Sequence, residues 1–208
     1  MDNFARVDVF DHEGKSSLHL AAEGGFVECC KMLIEKNAFI NSRTKNGWTA
    51  LHFAAYKGHE ILIRMLVTKY DATVDAPTMK KQTPLHLAAI SGMLNVCKLL
   101  MELGASPDFV DEQGQKPIHL AATSDKPEVI LLFLATRPSL VSSATKDGST
   151  CAHIAAKKGS ALVIKELMKF DKSVVLSSRN KITDSIPIHI ATEGGHRWCK
   201  LKCTSFKK

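Results

Sequence analysis

Tryptophan and tyrosine are rare in this chain, two of each in 208 residues, and long apolar runs are missing altogether. The longest, Val129 to Ala135, is seven residues, about a third of what a helix needs to cross a bilayer. The stretch Met1-Asp2-Asn3-Phe4-Ala5-Arg6 lacks the basic-then-apolar order of a secretory signal, so the expected location is cytoplasmic. Six cysteines, at 29, 30, 97, 151, 199 and 203, show no disulfide or zinc spacing. Cys29, Cys30 and Cys97 fall in apolar helical stretches, where cysteine acts as a small hydrophobe, and reduced thiols are expected. His196, Cys199 and Cys203 can share a helix face, but three ligands without a fourth do not make a zinc site. Catalytic signatures are missing as well. Gly24-Gly25 and Gly194-Gly195 read as helix ends rather than a Gly-x-Gly-x-x-Gly turn after a strand. Ser142-Ser143 and Ser177-Ser178 have no glycine elbow, and no nucleophile, base and orienter come together. The expectation is a non-enzymatic chain with no cofactor and no metal.

Acid is in short supply at one end only. The chain holds 28 Lys and Arg against 21 Asp and Glu, a net +7. Residues 196–208 contain Arg197, Lys200, Lys202, Lys207 and Lys208 and no acid, which leaves +2 for the 195 residues before them. A basic tail on a near-neutral body lacks the clustered face that phosphate binding needs, so no nucleic-acid partner is expected.

What the chain has instead is repetition. Thr83-Pro84-Leu85-His86-Leu87-Ala88-Ala89 returns as Ser16-Ser17-Leu18-His19-Leu20-Ala21-Ala22, Thr49-Ala50-Leu51-His52-Phe53-Ala54-Ala55 and Lys116-Pro117-Ile118-His119-Leu120-Ala121-Ala122. Two further copies are Thr150-Cys151-Ala152-His153-Ile154-Ala155-Ala156 and Ile186-Pro187-Ile188-His189-Ile190-Ala191-Thr192. Their histidines are separated by 33, 34, 33, 34 and 36 residues. A fixed period in this range marks units that bury their apolar faces only against neighbours. Cutting two residues before each motif gives units 14–46, 47–80, 81–113, 114–147, 148–183 and an incomplete 184–208 with a divergent basic tail. Residues 1–13 read as the tail of a preceding partial unit, so the chain reads as beginning inside an array. The tail of the last unit reads either as a weakly amphipathic cap, with Cys199, Cys203 and Phe206 on one face, or as sequence foreign to the array.

Within each unit the motif hydroxyl and proline open a first helix, and the paired alanines leave it slim enough for close approach. Gly25, Gly58, Gly92 and Gly159 are placed to end that helix in a left-handed conformation, with Asp125 in that slot in the fourth unit. A second helix carries apolar residues at helical spacing, for example Val96, Leu99 and Leu100. Asn37 or Gly104 then turns the chain into an extended finger. Gly14, Gly47, Gly114 and Gly148 stand where each finger turns; Lys81 and Asp184 replace them in the third and sixth units, where a different backbone geometry is expected.

The Thr-Pro-Leu-His-x-Ala pattern at this period resembles the ankyrin-repeat family. The resemblance implies an all-α fold, a solenoid of about six helix-turn-helix units joined by β-hairpin-like fingers. It makes the motif histidines structural groups that tie the motif hydroxyl to nearby backbone. It also implies that protein partners dock on a concave face built from finger tips and the exposed side of each first helix. Those positions read Lys15 and Glu23; Trp48, Tyr56 and Lys57; Gln82, Ile90 and Ser91; Gln115, Thr123 and Ser124; Ser149, Lys157 and Lys158. The candidate protein-binding residues are Trp48, Tyr56, Lys57, Gln82, Ile90, Ser91, Gln115, Lys157 and Lys158. Trp48, Tyr56 and Ile90 suit a hot spot; the alternative, that Trp48 and Tyr56 pack on each other and bind nothing, stays open.

A narrower resemblance rests on Arg6-Val7-Asp8-Val9-Phe10-Asp11, Ala38-Phe39-Ile40-Asn41-Ser42, Leu99-Leu100-Met101-Glu102-Leu103-Gly104-Ala105, Gly114-Gln115-Lys116-Pro117-Ile118-His119 and Glu166-Leu167-Met168-Lys169-Phe170-Asp171. With the motif copies at 81–89 and 150–156, these are similar to the cytoplasmic array of TRPN-type (no-mechanoreceptor-potential) cation channels. That resemblance implies a tether or spring with cytoskeletal partners or neighbouring repeats of the same array. The rival expectations are a free-standing adaptor, recruiting a phosphatase or a cytoskeletal protein, and, more remotely, a non-catalytic part of a larger enzyme or toxin.

Overall fold

A computed structural model describes residues 9–196. The segment before residue 9 and the basic tail, with Cys199, Cys203 and Phe206, lie outside the described residues. Twelve α-helices and one 3-10 helix form among those residues, and no strand does; the only β pairing there is a single bridge between Phe10 and Ser16. The finger segments are therefore tight turns rather than β-hairpins. The chain divides into two compact units, one built from residues 9–88 with 95–106 and the other from 89–94 with 107–196.

The first unit is built on helix pairs. α1 (Ser17–Gly24) packs on α2 (Val27–Glu35) and on α3 (Ala50–Lys57), and α3 packs on α4 (Glu60–Thr68). α5 (Pro84–Ile90) and α6 (Leu94–Glu102) follow in chain order. Helices of eight or nine residues are too short to persist alone in water, so burial must hold them. Leu18, Leu51, Leu62, Ile63, Leu66, Leu85 and Leu100 are fully buried, as are Ala22, Ala54 and Ala55, whose small side chains let α1 and α3 approach.

The second unit repeats the scheme. α7 (Pro117–Ala121) packs on α8 (Pro127–Thr136) and α9 (Cys151–Lys158). α10 (Ala161–Phe170) packs on α8 and α9, and α12 (Pro187–Glu193) on α9. Two helical insertions depart from the expected extended fingers. A 3-10 helix spans Pro138–Ser142 and α11 spans Lys172–Ser177. Their local causes are plain: Pro138 stands at a first helical position with Leu140 and Val141 buried behind it. Asp171 caps α11 by accepting the Ser173 and Val174 N–H groups, and Val175 is buried. Ser142 and Ser177 are thus helical.

The turns hold a second departure. Gly14, Gly47, Gly114 and Gly148 adopt φ of 76°, 78°, 74° and 82°. Lys81 and Asp184, expected to differ, adopt the same left-handed geometry at 59° and 51°. The turn is fixed by its bonds rather than by its residue: Gly47 N–H donates to the Thr44 carbonyl at 2.8 Å, and Lys81 N–H to the Thr78 carbonyl at 2.9 Å. A side-chain acceptor three or four residues earlier closes each loop from inside. Thr44 Oγ1 accepts from Trp48 N–H and Thr78 Oγ1 from Gln82 N–H, both at 3.1 Å; Asp111 Oδ1 accepts from Gln115 N–H at 2.8 Å. Glycine is sterically required where the next finger comes close: a Cβ on Gly47 would lie 2.7 Å from the Met79 backbone nitrogen.

Histidine joins the turns to the helices. At the start of α1, α3, α5, α7 and α9, the N–H of Ser16, Thr49, Thr83, Lys116 or Thr150 donates to Nδ1 of the histidine three residues on, at 3.0–3.1 Å. Where a hydroxyl is present it lies 2.8–2.9 Å from the same nitrogen. The histidine thus takes the place that Glu or Gln fills in a capping box. An Nδ1 that accepts a backbone N–H carries no proton, so the proton sits on Nε2. That proton is donated onward, from His19 to the Ser42 carbonyl at 2.9 Å and from His52 to the Gln82 carbonyl at 3.2 Å. His119 and His153 donate to the Ser143 and Ser185 carbonyls, both at 3.0 Å. The sixth copy differs: Ile186 stands at the N-cap of α12 without such a box, and His189 is exposed. His59 and His196 make a second kind of link, donating to the Glu23 and Lys157 carbonyls at 3.0 and 3.1 Å.

Candidate docking surface

In the first unit Trp48 and Tyr56 stand together at one finger and the helix behind it, while Phe10, Phe26 and Phe39 are exposed elsewhere. Trp48 follows the Gly47 turn and is half-buried; Tyr56 ends α3 and is 41% exposed. Their ring centroids are 5.8 Å apart in an edge-on arrangement, and Trp48 also lies 4.9 Å from Phe53 and 6.2 Å from His52. The mutual packing of Trp48 and Tyr56 is therefore real, and it leaves Tyr56 exposed. A hollow of about 190 Å³ beside them is lined by Glu13, Lys15, Thr44, Asn46, Trp48 and Phe53.

Charge around this cluster is internally matched. Lys15 Nζ lies 3.2 Å from Glu13 and 3.4 Å from Glu23, and 5.3 Å from the centre of the Phe53 ring. The bond it donates to Glu13 holds the Lys15 ammonium above its ordinary range. Lys57 pairs with Glu23 at 3.7 Å and lies 5.9 Å from the Tyr56 ring centre. With its lysines neutralised, this surface offers an aromatic contact more than a charged one.

In the second unit Gln115, Lys157 and Lys158 line one groove of about 590 Å³, together with Glu112, Gln113, Thr145, Lys146, Asp147, Ser149, His153, Ile154 and Ile190. Asp147 is consumed by its own turn: it accepts from the Thr145 hydroxyl, from Ser149 N–H at 3.1 Å and from Ser149 Oγ at 3.0 Å. Burial alone would raise its carboxyl, but these bonds outweigh that and keep it below the ordinary carboxylate value.

Of the nine candidate residues, the structure brings Trp48, Tyr56 and Lys57 together in the first unit and Gln115, Lys157 and Lys158 in the second. Gln82 serves its own turn, giving its N–H to Thr78 and its carbonyl to His52. Ile90 and Ser91 stand at the end of α5, with Ile90 39% exposed, outside both surfaces. Three residues escaped the sequence reading: Phe53, Ile154 and Ile190. All occupy the position after the motif histidine, where Leu87 and Leu120 are buried and Leu20 is exposed. The signal was an aromatic or β-branched residue where the other copies carry leucine.

Three of the four described cysteines are buried. Burial pushes the Cys97 and Cys151 thiols up to about 12 and Cys30 to about 11, far from the thiolate form that reacts. Cys29 departs from its expected core position and is exposed. No cluster of three or more metal-capable side chains forms among the described residues, and no helix there is long and apolar enough to cross a membrane.

Comparison with known proteins decides the family. A family profile described as ankyrin repeats in three copies matches residues 2–78 and again 62–142. The chain belongs to the ankyrin-repeat family. His153, beyond the matched stretch, makes the same bonds as His19 and His52 within it. This ankyrin chain is 28% identical over 182 residues to Inversin of Canis lupus familiaris, covering 85% of this chain and 17% of Inversin. It is 32% identical over 159 residues to Rabankyrin-5 of Homo sapiens, covering 75% of this chain and 14% of that protein. The chain thus spans less than a fifth of the length of either relative.

Proposed function

We propose that this ankyrin chain is a protein-docking module that binds through the first-helix and finger residues Trp48, Tyr56 and Lys57 in one unit and Gln115, Lys157 and Lys158 in the other. The observation that carries the reading is Tyr56, a large aromatic left 41% exposed on a helix whose other large side chains, Leu51 and Phe53, are buried. Rigidly held aromatics of this kind anchor hot spots. The repeat units 14–46, 47–80, 81–113, 114–147 and 148–183, flanked by partial units 1–13 and 184–208, make the frame that presents these residues.

Two settings suit such a module. In the first it is part of the cytosolic tether or spring of a TRPN-like mechanosensory cation channel, supported by the sequence resemblance at 6–11, 38–42, 99–105 and 166–171. In the second it is a soluble adaptor for a phosphatase or cytoskeletal partner, and the matches to Inversin and Rabankyrin-5 favour this setting no less. The transcript encoding the chain separates them, since a channel requires pore-forming apolar spans in the same reading frame.

The docking reading is tested by cross-linking capture from cell extract. Trp48→Ala with Tyr56→Ala is expected to reduce capture about tenfold or more. Loss of the ring contacts costs about 1–2 kcal/mol, a shift of several degrees in Tm with helical circular dichroism retained. Capture unchanged by the double substitution removes this surface from the site.

A further inference from the structure

We infer that the groove of the second unit takes an acidic, extended peptide segment of a partner protein, with one apolar side chain entering over Ile154 and Ile190. This rests on the docking reading above and specifies its ligand. The inference comes from a contrast between equivalent positions. Lys57 at the end of α3 is paired with Glu23, and Lys15 with Glu13 and Glu23. Lys157 and Lys158, at the end of α9, have no ion pair among the described residues, and neither has Lys146 on the facing finger. Three ammonium groups therefore line one groove without a carboxylate on them.

The groove contains two acids. Asp147 is fixed in its own turn by bonds from Thr145 and Ser149 and makes no ion pair with these lysines, though its negative charge stays in the groove. Glu112 is exposed at the finger tip and leaves the set one charge positive. The floor is apolar: Ile154 and Ile190 are half-buried side chains at the position that is leucine and buried in α5 and α7. An apolar floor with basic walls calls for an apolar anchor flanked by carboxylates. At about 590 Å³ the groove suits a short segment with a few side chains rather than a folded surface.

The test uses the full 208-residue chain against a displayed library of random twelve-residue peptides. Enriched peptides are expected to carry several Asp or Glu around one aliphatic or aromatic residue, and to bind more weakly as salt is raised. Lys157→Glu with Lys158→Glu, both exposed and outside the core, is expected to weaken them about tenfold or more while the circular dichroism stays helical. Enrichment without acidic residues, no enrichment, or binding that survives the charge reversal overturns the inference. Peptides lost on Trp48→Ala with Tyr56→Ala but indifferent to the charge reversal overturn it while leaving the docking reading standing. Binding of anionic lipid vesicles or RNA, without any peptide, also overturns it.

Discussion

Stability is expected to fall continuously as the pH drops from about 6.5 to about 4, before most carboxylates begin to titrate. The cause is the histidine at the start of each first helix. Burial lowers His52 from 6.5 to about 4, and it lowers His19, His119 and His153 in the same direction against the bonds that their neighbouring carbonyls supply. Geometry explains the resistance to protonation: Nδ1 already accepts a backbone N–H, so a proton there would face another donor. Above pH 6.5 the folded and unfolded chains both hold these rings neutral, and no differential exists. Below it the unfolded chain binds protons that the folded chain refuses, so stability rises with pH throughout the window and is lost as pH falls. For His52 a shift from 6.5 to about 4 corresponds to roughly 3 kcal/mol, a large part of the 5–15 kcal/mol that a domain has. Asp11, Asp147 and Asp171, held below the ordinary carboxylate value, add their loss only further down the scale; Asp75, raised by burial, opposes them. Urea unfolding at pH 7, 5.5 and 4 checks the prediction. His52→Gln should flatten the dependence between pH 6.5 and 4, and a midpoint constant down to pH 4 would assign acid sensitivity to the carboxylates instead.

The second large effect is expected from Phe133→Ala. Phe133 is the bulkiest fully buried side chain, on α8 where that helix meets α7, α10 and the 3-10 helix. Removing a buried ring loses its transfer free energy and leaves a cavity that short helices refill poorly, about 3–5 kcal/mol in all. At roughly 2–4 °C per kcal/mol for a chain of this size, the melting temperature should fall by about 10 °C. Leu131→Ala on the same helix removes a side chain 38% exposed and should cost much less. Calorimetry of the two variants compares them directly, and equal shifts would mean that α8 is oriented otherwise.

The residues that make the frame were legible because they recur. His19, His52, His119 and His153 bond alike because the same backbone turn lies beside each, and six copies of one motif expose that in the sequence. Where one copy departs, reading from the others failed in both directions. Lys81 and Asp184 were expected to change the turn geometry, but the loop-closing bonds to Thr78 and Asn180 impose it at the cost of a left-handed side-chain residue. The 3-10 helix was missed because Pro138 has no counterpart in the first three units, and α11 because Asp171 matches Asp71, which turns left-handed at φ 52° instead of capping a helix. The candidate surface was half legible. Exposure of Tyr56, Lys157 and Lys158 follows from helix phase, whereas the use of Ile154 and Ile190 as a floor depends on how α9 and α12 pack.

The most direct test of the account is site-specific photo-cross-linking. A photoreactive amino acid is placed singly at Tyr56 and Lys157, and as controls at Ile61 and Lys98, which line a separate groove between α4 and α6. The docking account predicts discrete protein adducts at Tyr56 or Lys157 that are absent at the controls. Adducts formed only at Ile61 and Lys98, or equally at all four positions, would contradict it.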